Sequence, residues 1–173
     1  RFELITDIRD LLKAQGIAAL FVTHNQDEAF AFCDRIAVLN NGKIEQIGTA
    51  EQLFHSPDSK FIAEFLGEGL WLPCDVVSPE SLISDLGQLN YKGEQDLAAL
   101  VGKRVEAYIR PHQMSLYPES EAGLLIENER FVGQFYESQI NWQGQSLKIK
   151  TKNSFLQQTV NIEINTHITK IFY

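Results

Sequence analysis

No run of about 18 consecutive apolar residues occurs in this 173-residue sequence, and its opening, RFELITDIRD, lacks the basic-then-apolar order of a secretory signal. The expectation is therefore a soluble chain of the cytoplasm. Cysteine is scarce: Cys33 and Cys74 stand far apart with no CxxC or CxxH spacing, which excludes a disulfide scaffold and argues against a zinc site. Basic residues are outnumbered, 15 to 23, for a formal net charge of −8. Residues 1–67 and 68–173 are each −4, so neither part offers the concentrated Lys and Arg that a nucleic acid or an anionic membrane requires. The sequence also has no GxxxxGK(S/T) loop, no GxGxxG turn and no GxSxG elbow. Without them no complete phosphate cradle or nucleophile site can be assembled, and the chain alone is expected to be inactive as an enzyme.

With 44% hydrophobic residues, the chain has enough apolar material for a real core. From Phe2 to Ala14, apolar residues at Leu4, Ile5, Ile8, Leu11 and Leu12 mark one face of an amphipathic helix, with Gly16 placed to end it. Ile17 to Val22 is continuously apolar, as in a strand covered on both faces of a parallel sheet. Asn25 followed by Glu28 has the spacing of a capping box and opens a short helix that stops near Asp34. The order RIAVL, NNG, KIEQI reads as a hairpin turned at Asn41-Gly42. Two further helix starts are read at Thr49 with Gln52 and at Ser56 before Pro57, the second helix carrying Phe61, Ile62, Phe65 and Leu66 on one face and ending at Gly67. Beyond residues 67–70 the helical period gives way to short β-type runs such as WLPCDVV, RVEAYI and LKIKT, the pattern of a small β-barrel or sandwich.

His24 is the foremost candidate for chemistry. It lies two residues past Val22, where an open α/β sheet binds its ligand, and an imidazole there can donate to an anionic oxygen or take a proton. A satisfied core histidine is the competing account. His55, His112 and His167 sit in connections or near the last strand and read as surface or packing residues. Asp27 and Glu28 read as first-turn carboxylates complementing the helix dipole, since neighbours in a helix do not face each other. Arg110 could bind an anion, with a rim salt bridge as the plainer role. Trp71, Tyr91, Tyr136 and Trp142 could stack nucleic-acid bases in an oligonucleotide-binding fold, but the acidic charge favours a core role for them.

Three strings then point to a family. FVTHNQDEA, CDRIAVLNNGKIEQIGTAEQLFHSP and FIAEFLG, within residues 17–67, closely resemble the C-terminal part of the ATP-binding subunit of ABC importers. VEAYIRPHQMSL resembles, more loosely, the transport-associated oligonucleotide-binding-like (OB-like, TOBE) domain appended to such subunits. FLGEGLWLPCDVV with IRPHQMSLYP is most similar to the ferric-iron uptake type, while sugar, polyamine, sulfate and molybdate importers share the architecture.

The resemblance implies an α+β chain: residues 1–67 as an incomplete C-terminal piece of an α/β ABC ATPase domain, and residues 70–173 as an all-β OB-like regulatory barrel. It implies that His24 is the switch histidine, both catalytic and cofactor-binding, reaching the γ-phosphate of ATP. Asn25, where the family more often has Asp, keeps the helix cap. The Walker A lysine, Q-loop, signature motif and Walker B carboxylates belong upstream, so ATP and Mg are expected in a full-length parent and no cofactor or metal in this piece alone. Implied partners are a second copy, the transmembrane permease subunits and, indirectly, a solute-binding protein, at the cytoplasmic face of the membrane, with no nucleic acid. Leu4, Ile8, Leu11, Ile17 and Leu20 should be left exposed, making the N-terminal part unstable or prone to pairing. A free-standing OB-like regulatory module is the alternative.

Overall fold

The computed structural model describes residues 2–119, 123–165 and 167–173. The chain divides into two units, Arg1–Leu66 and Gly67–Tyr173, each described by itself. Helices and strands coexist, and the fold is α+β.

In the first unit, helix α1 (Phe2–Ala14) ends at Gly16, whose φ of +65° is the left-handed conformation that glycine adopts without penalty. Leu4, Ile8 and Leu11 on this helix are exposed. Ile17–Val22 forms no strand, because among the described residues no neighbour supplies a ladder: Leu20 is 93% and Val22 85% exposed. A buried-strand sequence without partner strands has nothing to satisfy its N–H and C=O groups in regular form. Helix α2 (Gln26–Phe32) follows its Asn25 cap, and Lys13 and Arg9 of α1 reach Asp34 just beyond it, at 2.5 and 3.7 Å. Strands β1 (Ile36–Asn40) and β2 (Lys43–Gly48) make the expected hairpin, with φ of +48° at Asn41 and +76° at Gly42. Helix α3 (Ala50–His55) is opened by a complete capping box between Thr49 and Gln52. Ser56 caps the C-terminal end of α3 rather than opening the next helix; Ser59 takes that role, its hydroxyl accepting from Ile62 N at the start of α4 (Lys60–Phe65). A small core of Val38, Leu53, Ile62 and Leu66 joins the hairpin to the last two helices.

The second unit is built on strands. β3 (Leu70–Ser78) alternates buried and outward residues, the signature of one face against a core, and Pro73 sits where β4 (Ser81–Ser84) has not yet begun to pair. With β5 (Gly87–Asn90), β6 (Arg104–Ile109) and the terminal β13 (Ile171–Phe172) they form a five-stranded antiparallel sheet in the order β13-β6-β3-β4-β5. After β6 the turn Pro111–Gln113 carries the chain into β7 (Met114–Pro118), which pairs with β12 (Thr159–Ile164), itself paired with β8 (Leu124–Leu125). β9 (Asn128–Phe131), β10 (Tyr136–Trp142) and β11 (Gln145–Thr151) make a third sheet.

The expected barrel is thus not a closed one: the described strands of this unit fall into three sheets. The ladder breaks at the Pro111 turn, and β11 meets β3 through a side chain, Gln145, which accepts from Trp71 N at 2.8 Å and donates to Trp71 O at 2.9 Å. All three sheets face one core, with Leu72 and Ile109 from the first, Leu116 and Ile162 from the second, and Ile140 and Ile149 from the third.

Candidate functional site

His24 stands on a bend between the irregular Ile17–Val22 segment and α2. Its side chain is exposed and engages none of the described residues by a hydrogen bond. It is therefore not a satisfied core histidine. What surrounds it is held firmly. Thr23 Oγ1 donates to Glu28 Oε2 at 2.9 Å and accepts from Asn25 N at 3.0 Å, while Asn25 Oδ1 accepts from Glu28 N at 3.2 Å. These three contacts close a ring from the residue before His24 to the residue after it and on to the first turn of α2. Gln26 adds a side-chain bond to the carbonyl of Phe65.

Glu28 lies in the first turn of α2, where the sequence reading put it. A first-turn carboxylate complementing the dipole should be solvated, whereas Glu28 is only 5% exposed. In a capping box its carboxylate would take the Asn25 amide; here the Thr23 hydroxyl is interposed between the two. The Thr-His-Asn-x-x-Glu spacing was the available signal, and it reads as a plain cap unless the hydroxyl before the histidine is counted. Asp27 is exposed, as expected for a surface carboxylate.

The structure does not gather the other candidates at this site. His55 lies on α3, edge-on to Phe54 at 5.2 Å, and His112 is exposed in the Pro111–Gln113 turn. Arg110 is neither a rim residue nor an open anion site. It is 5% exposed, lies over the Tyr108 ring at 5.3 Å and donates from Nη1 to Gly67 O at 3.3 Å, beside the Tyr108 hydroxyl, which donates to the same carbonyl at 2.8 Å. Burial pulls its guanidinium below the ordinary value, opposed by Tyr108. The Ile-Arg-Pro element thus fastens the start of the β unit, where a side chain at Gly69 would collide with the Tyr108 ring.

Tyr91 is buried in the core and Trp142 packs against it, while Trp71 meets Tyr108 at a tilt and Phe172 edge-on, with ring centroids 4.5 and 5.3 Å away. Tyr136 is half-buried against Phe131. These rings serve packing rather than an open stacking platform. His167 borders a polar cleft of about 470 Å³ together with Tyr91, Lys92, Gln95 and Asp96. Among the described residues no cluster of His, Cys, Asp and Glu has the makings of a metal site, and no helix is long and apolar enough to cross a membrane.

No family model matches the chain. It is 34% identical over 154 residues to the Fe(3+) ions import ATP-binding protein FbpC 1 of Pectobacterium atrosepticum, an alignment covering 87% of this chain and 42% of the relative. It is 33% identical over 159 residues to the spermidine/putrescine import ATP-binding protein PotA of Pseudomonas fluorescens, covering 85% of this chain and 42% of that protein. A shorter match, 49% over 81 residues, is to the Fe(3+) ions import ATP-binding protein FbpC of Agrobacterium fabrum, covering 45% of this chain and 23% of the relative. The chain spans less than half the length of these relatives.

Proposed function

We infer the function from one premise: the chain is a homologue of the ATP-binding subunits of ABC importers, of the kind that serve ferric iron and polyamines. On that premise it is the C-terminal part of such a subunit, with ferric iron as the solute whose uptake the whole protein powers. Residues 1–67 complete the nucleotide-binding domain, and residues 70–173 form the OB-like regulatory domain. The observation that carries the reading is the alignment over 87% of this chain with a ferric import subunit. The exposed imidazole of His24, on a turn whose backbone is pinned on both sides, adds support.

In this reading two copies close on two ATP molecules and His24 donates a hydrogen bond from its imidazole to the γ-phosphate, so that the presence of the third phosphate is sensed at the closed interface. ATP and Mg are bound by the phosphate loop and carboxylates of the rest of the subunit; this chain contributes the histidine. The permease subunits receive the closure, which places the protein peripherally at the cytoplasmic face of the membrane. The β unit holds the pair together while the ATP sites open. A mass independent of concentration in sedimentation, equal to one chain, would remove that role.

The test is made on the whole gene product expressed from its native locus. His24→Ala should abolish ATP hydrolysis and with it the uptake of labelled ferric iron by cells, leaving spermidine uptake untouched. Loss of spermidine uptake instead would move the solute to the polyamines, and wild-type hydrolysis by the variant would sink the role of His24. The second reading, a regulatory module, draws on the self-contained core and the polar cleft of the β unit. A native product with the 19.7 kDa mass of this chain would favour it.

A further inference from the structure

We propose that Thr23 and Glu28 are positioning residues for His24, acting as a hydroxyl-relayed clamp on the turn that presents the imidazole. The inference rests on the reading of His24 given above. Acidic side chains are almost never fully buried without a partner that needs them. Glu28 is buried, on a unit whose apolar core is small, and its carboxylate is directed back along the chain to Thr23.

The ring is closed and economical. Thr23 Oγ1 uses its one proton on Glu28 Oε2 and a lone pair on Asn25 N, and Asn25 Oδ1 returns to Glu28 N. Every backbone torsion of His24 lies between two of these fixed points, while its side chain is left free. A clamp of this form sets where the imidazole begins without occupying either ring nitrogen. An ordinary capping box would fix α2 but leave Thr23 unconstrained, so it would not locate the residue before the histidine. Misplacing a catalytic group by an ångström costs about a hundredfold in rate, which is why a turn with one exposed working residue gains from such a constraint.

The test compares His24→Ala, Thr23→Val, Thr23→Ser, Glu28→Ala and Glu28→Gln in the whole gene product, by steady-state ATP hydrolysis. Thr23→Val and Glu28→Ala should each lower kcat by about tenfold or more with KM for ATP changed by less than about twofold. Thr23→Ser and Glu28→Gln, which keep the donor and an acceptor, should recover most of the rate. A general loss of structure would not be undone by restoring one hydroxyl. If Glu28→Ala does not fold, the Thr23→Val and Thr23→Ser pair decides alone. In this chain itself, amide exchange of Asn25 should accelerate by about tenfold or more in Thr23→Val while Leu53 of the small core keeps its protection. If His24→Ala is inactive but Thr23→Val turns over like the wild type, the clamp is refuted and the role of His24 stands. If His24→Ala is itself active, the reading of His24 fails and the clamp falls with it.

Discussion

Glu129 offers the sharpest test of how the β unit is held together. It sits on β9 directly across from Ser138 of β10, and its carboxylate gathers three donors: Ser138 Oγ at 2.8 Å, Ser154 Oγ at 2.5 Å and Phe155 N at 2.9 Å. Ser138 and Phe155 are both buried, so removing the acceptor strands a hydroxyl and an amide away from water. The exposed Ser154 hydroxyl can turn to solvent and is left out of the sum. Two bonds to a charged acceptor, at the low end of their range of about 1.5 kcal/mol each, put Glu129→Ala at roughly 3 kcal/mol of destabilisation. Both counted donors meet the same oxygen, Oε2, so Glu129→Gln can keep both bonds and forfeits only their charge, which should cost about half of that.

Urea denaturation followed by tryptophan fluorescence is the assay, because Trp71 and Trp142 both lie in the β unit and report on it alone. The effect should also depend on pH. Desolvation works against the ionised form of Glu129, but the amides of Phe155 and Leu156 and the two serine hydroxyls outweigh it and hold its carboxyl below the usual range. A group with a depressed folded pKa contributes stability that is present above its unfolded value of about 4.3 and is lost as pH falls through the folded value. The gap between wild type and Glu129→Gln should therefore be full at neutral pH and shrink in acid. A loss under about 0.5 kcal/mol, or one equal at pH 7 and pH 3, would refute the argument.

Other outcomes follow from the same structure. Gly93→Ala would set its Cβ 2.1 Å from Thr169 O and 2.2 Å from the Tyr91 hydroxyl, so the segment leading to β13 must shift; we expect about 1–3 kcal/mol lost and altered emission from Trp71, which Phe172 covers. Burial pushes the Cys74 thiol up to about 11, with the Ala107 amide opposing, so at pH 8 the native protein should consume thiol reagent slowly at Cys33 and react at Cys74 only in denaturant. Leu72→Ala empties a fully buried position in the β core and should cost about 2–5 kcal/mol by the same fluorescence assay.

What could be read from the sequence was whatever neighbouring residues decide between themselves. The Asn41-Gly42 turn, the Thr49 and Gln52 box, the Gly16 cap and the alternation of β3 all depend on contacts within a few positions, and each is found where its residues place it. Ile17–Val22 fails for the opposite reason: its composition reports burial, but a strand exists only when another strand is beside it. Ser56 and Ser59 are both plausible caps, and the choice fell to the one whose hydroxyl reaches an amide three residues on, a geometric fact that composition does not encode. Arg110 was misread because arginine is usually exposed; its burial is set by Gly67 and Tyr108, more than 40 and two positions away. His24 was legible as a residue type at a junction, whereas the clamp beneath it depends on a carboxylate turning backward along the chain.

The two units differ in what supports them, and that difference bears on how the candidate site works. The β unit closes a core that draws on all three of its sheets, whereas the first unit relies on four buried apolar residues between the hairpin and the last two helices. None of those four belongs to the stretch that carries His24, and the apolar residues just before it, Leu20 and Val22, are open to solvent. Tertiary contacts reach the flanks of this turn, through Phe30 packed against the small core and the Gln26 side chain on the Phe65 carbonyl, but the turn itself is closed by the Thr23, Asn25 and Glu28 ring within six residues. The geometry around His24 should therefore outlast perturbation of the small core: in Leu53→Ala, the Asn25 amide should keep its exchange protection at denaturant levels where Ile62 has lost its own. Simultaneous loss at both amides would mean that the turn depends on the core after all, and that the ring is a consequence of folding there rather than its local cause.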